Sequence, residues 1–373
     1  MTHVHRDSIN RRKALSFIGV GAAAALLPWD ASAQPATFPP GAVIRTLFRD
    51  YPPGELAGGA TLFHEHLSLA TDFNARFFAA TAAVRGGGAR PGGAPPAGAR
   101  AGAAGSRGGG GAPAAPDPMR DVALMTEELR TARKEGVACL VDAGNPDMGR
   151  DLPFIRQAAK AAGLPVVVSA GFYSQPFYGP AMATMAEDQI VEALVAQADE
   201  GPAGVLGEIG SWDVMTADER KVFRAVGKAH VATGLPVLTH TGIPGKEALA
   251  QLDILEGAGV PPSSIVIGHL GNLVDPDVTV QKAICRRGAF VGFDRQGGNG
   301  DAQQVPLVLA LLEAGFADNL LFSADTSRGY GKTLTVFLPK LRDAGVPDAV
   351  LQRIMVDNSR RFLAFVPKRP RRA

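Results

Sequence analysis

Cysteine is almost missing from this chain. The two present in 373 residues, Cys139 and Cys285, exclude a disulfide framework and a thiolate metal cluster. Both stand in apolar surroundings and read as small buried hydrophobes. An excess of one charge is missing as well: 38 basic residues face 36 acidic ones, so no basic field remains to attract nucleic acid. Past the N-terminal segment no uninterrupted apolar run is long enough to cross a bilayer. A strand-turn-helix Gly-x-Ser-x-Gly is also lacking, which argues against a nucleophilic serine or cysteine. What the chain does have is apolar content: 46% is ample for a buried core and rules out wholesale disorder.

Residues 1–33 carry the marks of an export signal. Arg11-Arg12-Lys13 precede the uncharged stretch Ala14–Leu27, and Ala31-Ser32-Ala33 supplies small residues for cleavage. The paired arginines point to the twin-arginine route, with Ala14 where such signals often carry Phe. A periplasmic location is the expectation. Residues 86–116 hold 12 Gly, 10 Ala and 5 Pro among 31 positions, and have nothing to bury. They read as a mobile insertion. Arg90, Arg100 and Arg107 lie among its glycines without an aromatic to stack on a base, so RNA binding is not expected. No strand precedes it and no helix-opening Gly-Lys-Ser/Thr follows, which excludes a phosphate-cradling loop.

Elsewhere short apolar runs alternate with amphipathic ones. Strands are predicted at Ala60–His64, Val137–Asp142, Pro165–Ala170, Gly204–Ile209, Pro236–His240, Ser264–His269, Ala289–Asp294 and Asn319–Asp325. Helical patterns fall at Met125–Glu135, Gln189–Ala198, Ala217–Thr233, Lys246–Gly257 and Val305–Ala314. Gly136, Gly163, Gly234 and Gly259 sit where helices stop. Strands uninterrupted by polar residues suggest a parallel sheet covered on both faces. Eight strand-helix units point to a single-domain α/β chain, a (β/α)8 TIM barrel spanning 34–373 after the signal. A doubly wound open sheet is the alternative.

Seven histidines occur, five of them after residue 33, and four of those five close predicted strands. His64 and His66 end the first in Thr61-Leu-Phe-His-Glu-His, His240 the fifth and His269 the sixth. Glu208 and Asp325 take equivalent places on the fourth and eighth. Alternate strand residues share a side, so His64 and His66 can face the barrel mouth together while Glu65 points away as a supporting carboxylate. His230, within a helix, reads as a packing residue. Four neutral imidazoles with two carboxylates suit zinc or a similar divalent ion, and are too many for one catalytic zinc with its usual three or so protein ligands. Two ions bridged by a carboxylate fit the count. They would lower the pKa of bound water to about 7, and Asp325 could accept its proton.

In these residues the chain resembles the phosphotriesterase-related branch of the amidohydrolase superfamily. The likeness runs from about Gly59 to Phe365 apart from the insertion. It rests on His64-Glu-His66, Gly207-Glu-Ile-Gly210, Thr239-His-Thr, Gly268-His-Leu-Gly271 and Ser323-Ala-Asp325. Gly136-Val-Ala-Cys-Leu-Val-Asp142, Gly149-Arg-Asp151 and Gly171-Phe-Tyr173 extend it, and Asn358-Ser359 departs from a usual Asn-Pro. The resemblance implies one metal on His64, His66 and Asp325, another on His240 and His269, and position 208 as the bridge. The best-known members carry a carboxylated lysine there, whereas Glu208 has a shorter reach. Zinc is expected, with manganese, cobalt or iron as alternatives. Phe293-Asp-Arg295-Gln-Gly resembles the lactonase-like members, which implies Tyr173 near the substrate carbonyl and Arg295 near the pocket. Trp212 is a further pocket candidate. The expected function is hydrolysis of a lactone or carboxylic ester by metal-activated hydroxide. Phosphotriester and amide hydrolysis are the rival chemistries, and an exported metal-binding protein without turnover is the rival class. A small-molecule substrate and a homodimer complete the expectation.

Overall fold

The computed structural model describes residues 36–86, 116–242, 245, 247–273, 275 and 277–371. The export signal and nearly all of the 86–116 insertion therefore lie outside the described residues. Eight parallel strands follow one another around a single sheet. They are β1 Ala60–Glu65, β2 Val137–Asp142, β3 Val166–Ala170, β4 Val205–Ser211, β5 Val237–Thr241, β6 Ile265–Ile267, β7 Phe290–Phe293 and β8 Leu320–Phe322. Between them run helices α1 Phe73–Gly86, α2 Val122–Lys134, α3 Leu152–Ala162, α4 Glu187–Glu200, α5 Ala217–Thr233, α6 Ala248–Gly257, α7 Thr279–Arg286 and α8 Asp301–Glu313. Among the described residues no helix is long and apolar enough to cross a membrane.

The ring closes just past its last strand. Asp325 N donates to His64 O at 3.1 Å and His66 N to Thr326 O at 3.0 Å. Glu65 stitches the same seam, accepting from Ser323 Oγ at 2.7 Å, Ala324 N at 2.8 Å and Thr326 N at 3.0 Å. Strand order is sequential throughout, so the arrangement is the expected barrel and not a doubly wound sheet.

Both faces of the strands are buried, which is why the sequence shows apolar runs instead of alternation. Val166, Val168, Val237, Ile265, Ile267 and Leu320 pack outward beneath the helices. Val167, Leu238, Val266 and Leu321 turn inward with Phe63, Cys139 and Val141. Ile44, Leu56, Phe362 and Leu363 close that inner core at the N-terminal end of the barrel. Burying each such side chain stabilises the fold by about 1.5–3 kcal/mol. Because this end is plugged with hydrocarbon, polar chemistry is left to the other.

Most helices and strands sit near their predicted places. Gly163 and Gly234 end α3 and α5 in the left-handed conformation, with φ of 64° and 82°. Helix α2 starts at Val122, three residues early, because the Asp121 carboxylate caps Ala123 N and Leu124 N. Strands β6 and β8 are shorter than predicted and stop at Ile267 and Phe322. His269 and Asp325 have φ of 63° and 47°, so neither can continue an extended strand. Each chain turns out of the sheet at the residue whose side chain enters the mouth.

Candidate metal centre

The structure brings all six predicted side chains together at the C-terminal mouth. Glu208, 1% exposed on β4, lies at their middle. Its Oε1 is 2.5 Å from His240 Nδ1, 3.1 Å from His269 Nε2 and 3.4 Å from His64 Nε2. Its Oε2 is 3.6 Å from His66 Nε2. Asp325 Oδ1 stands 3.3 Å from His66 Nε2 and 3.7 Å from His64 Nε2. Two groups of potential ligand atoms, each within 4.8 Å of one another, are His64–His66–Glu208 and Glu208–His240–His269. They share Glu208 alone. A third group is His64–His269–Asp325.

These residues fit divalent ions on two grounds. His64 Nε2 and His66 Nδ1 are buried, and neither meets a hydrogen-bond partner among the described residues. An orphaned ring nitrogen in a polar cluster costs free energy unless something accepts its lone pair or proton. His240 Nδ1 and His269 Nε2 also lie only 2.6 Å apart, a spacing at which both cannot carry protons. Burial would raise the Glu208 carboxyl, but the His64 and His240 imidazoles hold it well below the usual carboxylate range. Asp325 is likewise held low against its burial, by His64, His66 and Arg295. Burial and the neighbouring His269 push His240 down to about 4, leaving it neutral at physiological pH. Ionised carboxylates beside a neutral imidazole form a donor set suited to zinc.

Asp294, for which the sequence predicted no site role, belongs to this centre. It is fully buried one residue beyond β7, with Oδ2 3.2 Å from His64 Nδ1 and Oδ1 2.7 Å from His269 Nδ1. A carboxylate on the far nitrogen of an imidazole fixes its tautomer and aims the other nitrogen. The signal was visible, since Asp294 shares the strand-end position of the named ligands, but a lone Asp before an Arg has nothing to set it apart. Asn145 was missed too: its Nδ2 donates to Glu208 O at 2.7 Å.

The remaining candidates divide. Arg295, with φ of 62°, donates from Nε to Asp325 Oδ2 at 2.9 Å. The Tyr173 hydroxyl lies 3.2 Å from His240 Nδ1, and burial with the nearby Glu208 keeps the phenol protonated. Tyr173 also opens an aromatic cluster with Phe73 and Phe177. Trp212 packs on Phe77 of α1, with ring centroids 5.6 Å apart. His230 turns Nδ1 to Leu235 O at 2.7 Å, far from the mouth along α5. Cys139 and Cys285 are buried, and burial pushes both thiols up to about 12. Asn358, in the helical stretch 348–363 that follows β8, ties Ala317 O and Leu320 O to that stretch, at 2.7 and 2.9 Å.

Asp147, in the loop after β2, receives the Tyr173 backbone N–H at 2.8 Å, and burial raises its carboxyl from 3.8 to about 7. Such a group favours the fold fully below pH 3.8, and that contribution drains away as pH rises through about 7. Asp147→Asn removes the ionisable proton while keeping an acceptor for Tyr173. Thermal melts should find this variant several degrees above the parent at pH 8 and equal to it near pH 4. An offset that is the same at both pH values would contradict the assignment.

The sequence profile of the phosphotriesterase family matches residues 53–363. The phosphotriesterase homology protein of Escherichia coli is 30% identical over 260 residues, covering 64% of this chain and 88% of its own. An N-acetyltaurine hydrolase of Salmo salar is 26% identical over 280 residues, covering 66% and 79%. Among solved structures, a resiniferatoxin-binding protein from Rhodobacter sphaeroides superposes with a TM-score of 0.70 at 26% identity, over 87% of this chain and 95% of its own.

Proposed function

The chain belongs to the phosphotriesterase family and is a hydrolase; from that premise we propose that it cleaves a lactone or carboxylic ester using two divalent ions, zinc first among them. One observation carries this reading: a single carboxylate, Glu208, lies within 3.6 Å of all four imidazoles, His64, His240 and His269 at Oε1 and His66 at Oε2. When bound, the ions would acidify water and polarise the ester carbonyl.

The chain's own groups then have defined tasks. Asp325, held ionised and with Oδ2 fixed by Arg295 at 2.9 Å, takes the proton from the attacking water and returns it to the leaving oxygen. Tyr173, protonated and beside His240, offers its hydroxyl to the substrate. Asp294 keeps His64 and His269 in one orientation. Phe73, Phe177 and Tyr173 form an apolar wall that limits water at that side of the mouth. A second reading, amide hydrolysis, draws on the likeness to N-acetyltaurine hydrolase. Phosphotriester hydrolysis would use the same groups with attack at phosphorus in place of carbon. The site of action is proposed to be the periplasm, after loss of residues 1–33.

Metal analysis together with a substrate panel tests this. We expect about two ions per chain, and turnover of lactones and carboxylic esters above that of triesters and amides. Triester turnover far exceeding lactone turnover would reverse the order. A metal-loaded protein that hydrolyses no member of the panel would instead be a metal-binding protein.

A further inference from the structure

Glu208 has a shorter side chain than the carboxylated lysine that the best-known members of the family it resembles carry at the bridge, so where its main chain sits decides whether its carboxylate can span the centre. That main chain is held at both its N–H and its carbonyl by the loop that follows β2. Glu208 N donates to Ala143 O at 3.1 Å, and Glu208 O receives Asn145 Nδ2 at 2.7 Å. Asn145 is itself fully buried.

Its orientation is locked. The Glu208 carbonyl can only accept, which turns Nδ2 toward it, while Ser169 Oγ lies 2.8 Å from Gly144 O and 3.1 Å from Asn145 Oδ1 and the Asn145 backbone N–H points to Met148 Sδ at 3.4 Å. Arg150 Nη1 donates to Ser169 O and, at 3.2 Å, to Gly144 O, bracing the same loop against β3. Glycine at 171 makes room: a Cβ there would stand 2.9 and 3.0 Å from the Asn145 amide atoms. Arg150 and Gly171, without a task so far, thus support the loop and the space in which this amide sits.

We propose that Asn145 is a positioning residue which, through the carbonyl of Glu208, sets how far the bridging carboxylate reaches into the metal centre. Asn145 touches no ligand atom, and the inference rests on the reading of Glu208 as the bridge.

The test uses zinc alone, titrated into the metal-free full chain against a chromophoric chelator. Asn145→Leu keeps the volume and removes the donor. It should weaken zinc binding by about 10–100-fold, the usual loss when a partner supporting a ligand is removed, while circular dichroism stays that of the parent. Asn145→Ser retains a shorter donor and should fall between; it also serves if the leucine variant does not fold. In a Glu208→Ala background the same Asn145 substitution should change zinc affinity less than about twofold, since its route to the metal is gone. Equal losses in both backgrounds, or no loss beside an intact Glu208, overturn the proposal. A parent chain that binds no zinc overturns the reading of the centre itself.

Discussion

Glu208→Ala should leave the centre with only weak, residual metal binding. Metal content of the purified protein is expected to fall from about two ions per chain to less than one, and hydrolysis by more than about 10²-fold. The size of the effect follows from geometry. Among the described residues Glu208 alone stands within 3.6 Å of all four imidazoles, so its loss removes the one anion that all four share. Glu208→Asp is informative beside it. Withdrawing the carboxylate by one carbon–carbon bond, about 1.5 Å, should cost metal affinity without abolishing it, because the charge survives while the reach does not. If the alanine variant kept its metal, the bridge would have to be another group.

Asp325→Asn should separate chemistry from metal binding. We expect kcat to drop by about 10²–10⁴-fold, the range for loss of a positioned general acid-base group, while ions per chain stay near the parent value. His64, His66 and Glu208 remain as one ligand group and Glu208, His240 and His269 as the other. The amide keeps the shape of the carboxylate and can still accept from Arg295 Nε, so the loss is of proton affinity and not of packing. Both quantities should be measured on one preparation. Activity falling only in step with metal would make Asp325 a ligand and nothing more, and unchanged activity would remove it from proton transfer.

Much of the barrel was legible because burial on both faces writes itself into composition. Val166–Ala170 and Ile265–Ile267 are nearly pure hydrocarbon, and no surface element of this size would be. The four histidines of the site were legible through position, as they stand at the ends of such runs. Less legible were features that depend on conformation. Left-handed backbone at His269, Arg295 and Asp325 has no marker when glycine is absent, so β6 and β8 were drawn too long. Asp294 and Asn145 act through other residues across the barrel, separated from their partners by up to 230 positions, and local pattern carries no trace of such pairings. Helix α1 was not foreseen, since Phe73–Gly86 mixes Ala and Phe without a clear polar stripe.

At the plugged end, Val43 and Phe365 exchange backbone hydrogen bonds of 2.9 and 3.0 Å, and Arg371 reaches Thr46 O and Leu47 O at 2.8 and 3.0 Å. The two ends of the described chain therefore run side by side, a barrel's length from the candidate metal centre. A short peptide could splice them, and new ends could be opened in an exterior turn with the order of ligands around the ring preserved. The same address suits anchoring to a solid support, because a bead attached there leaves the catalytic opening facing the solution.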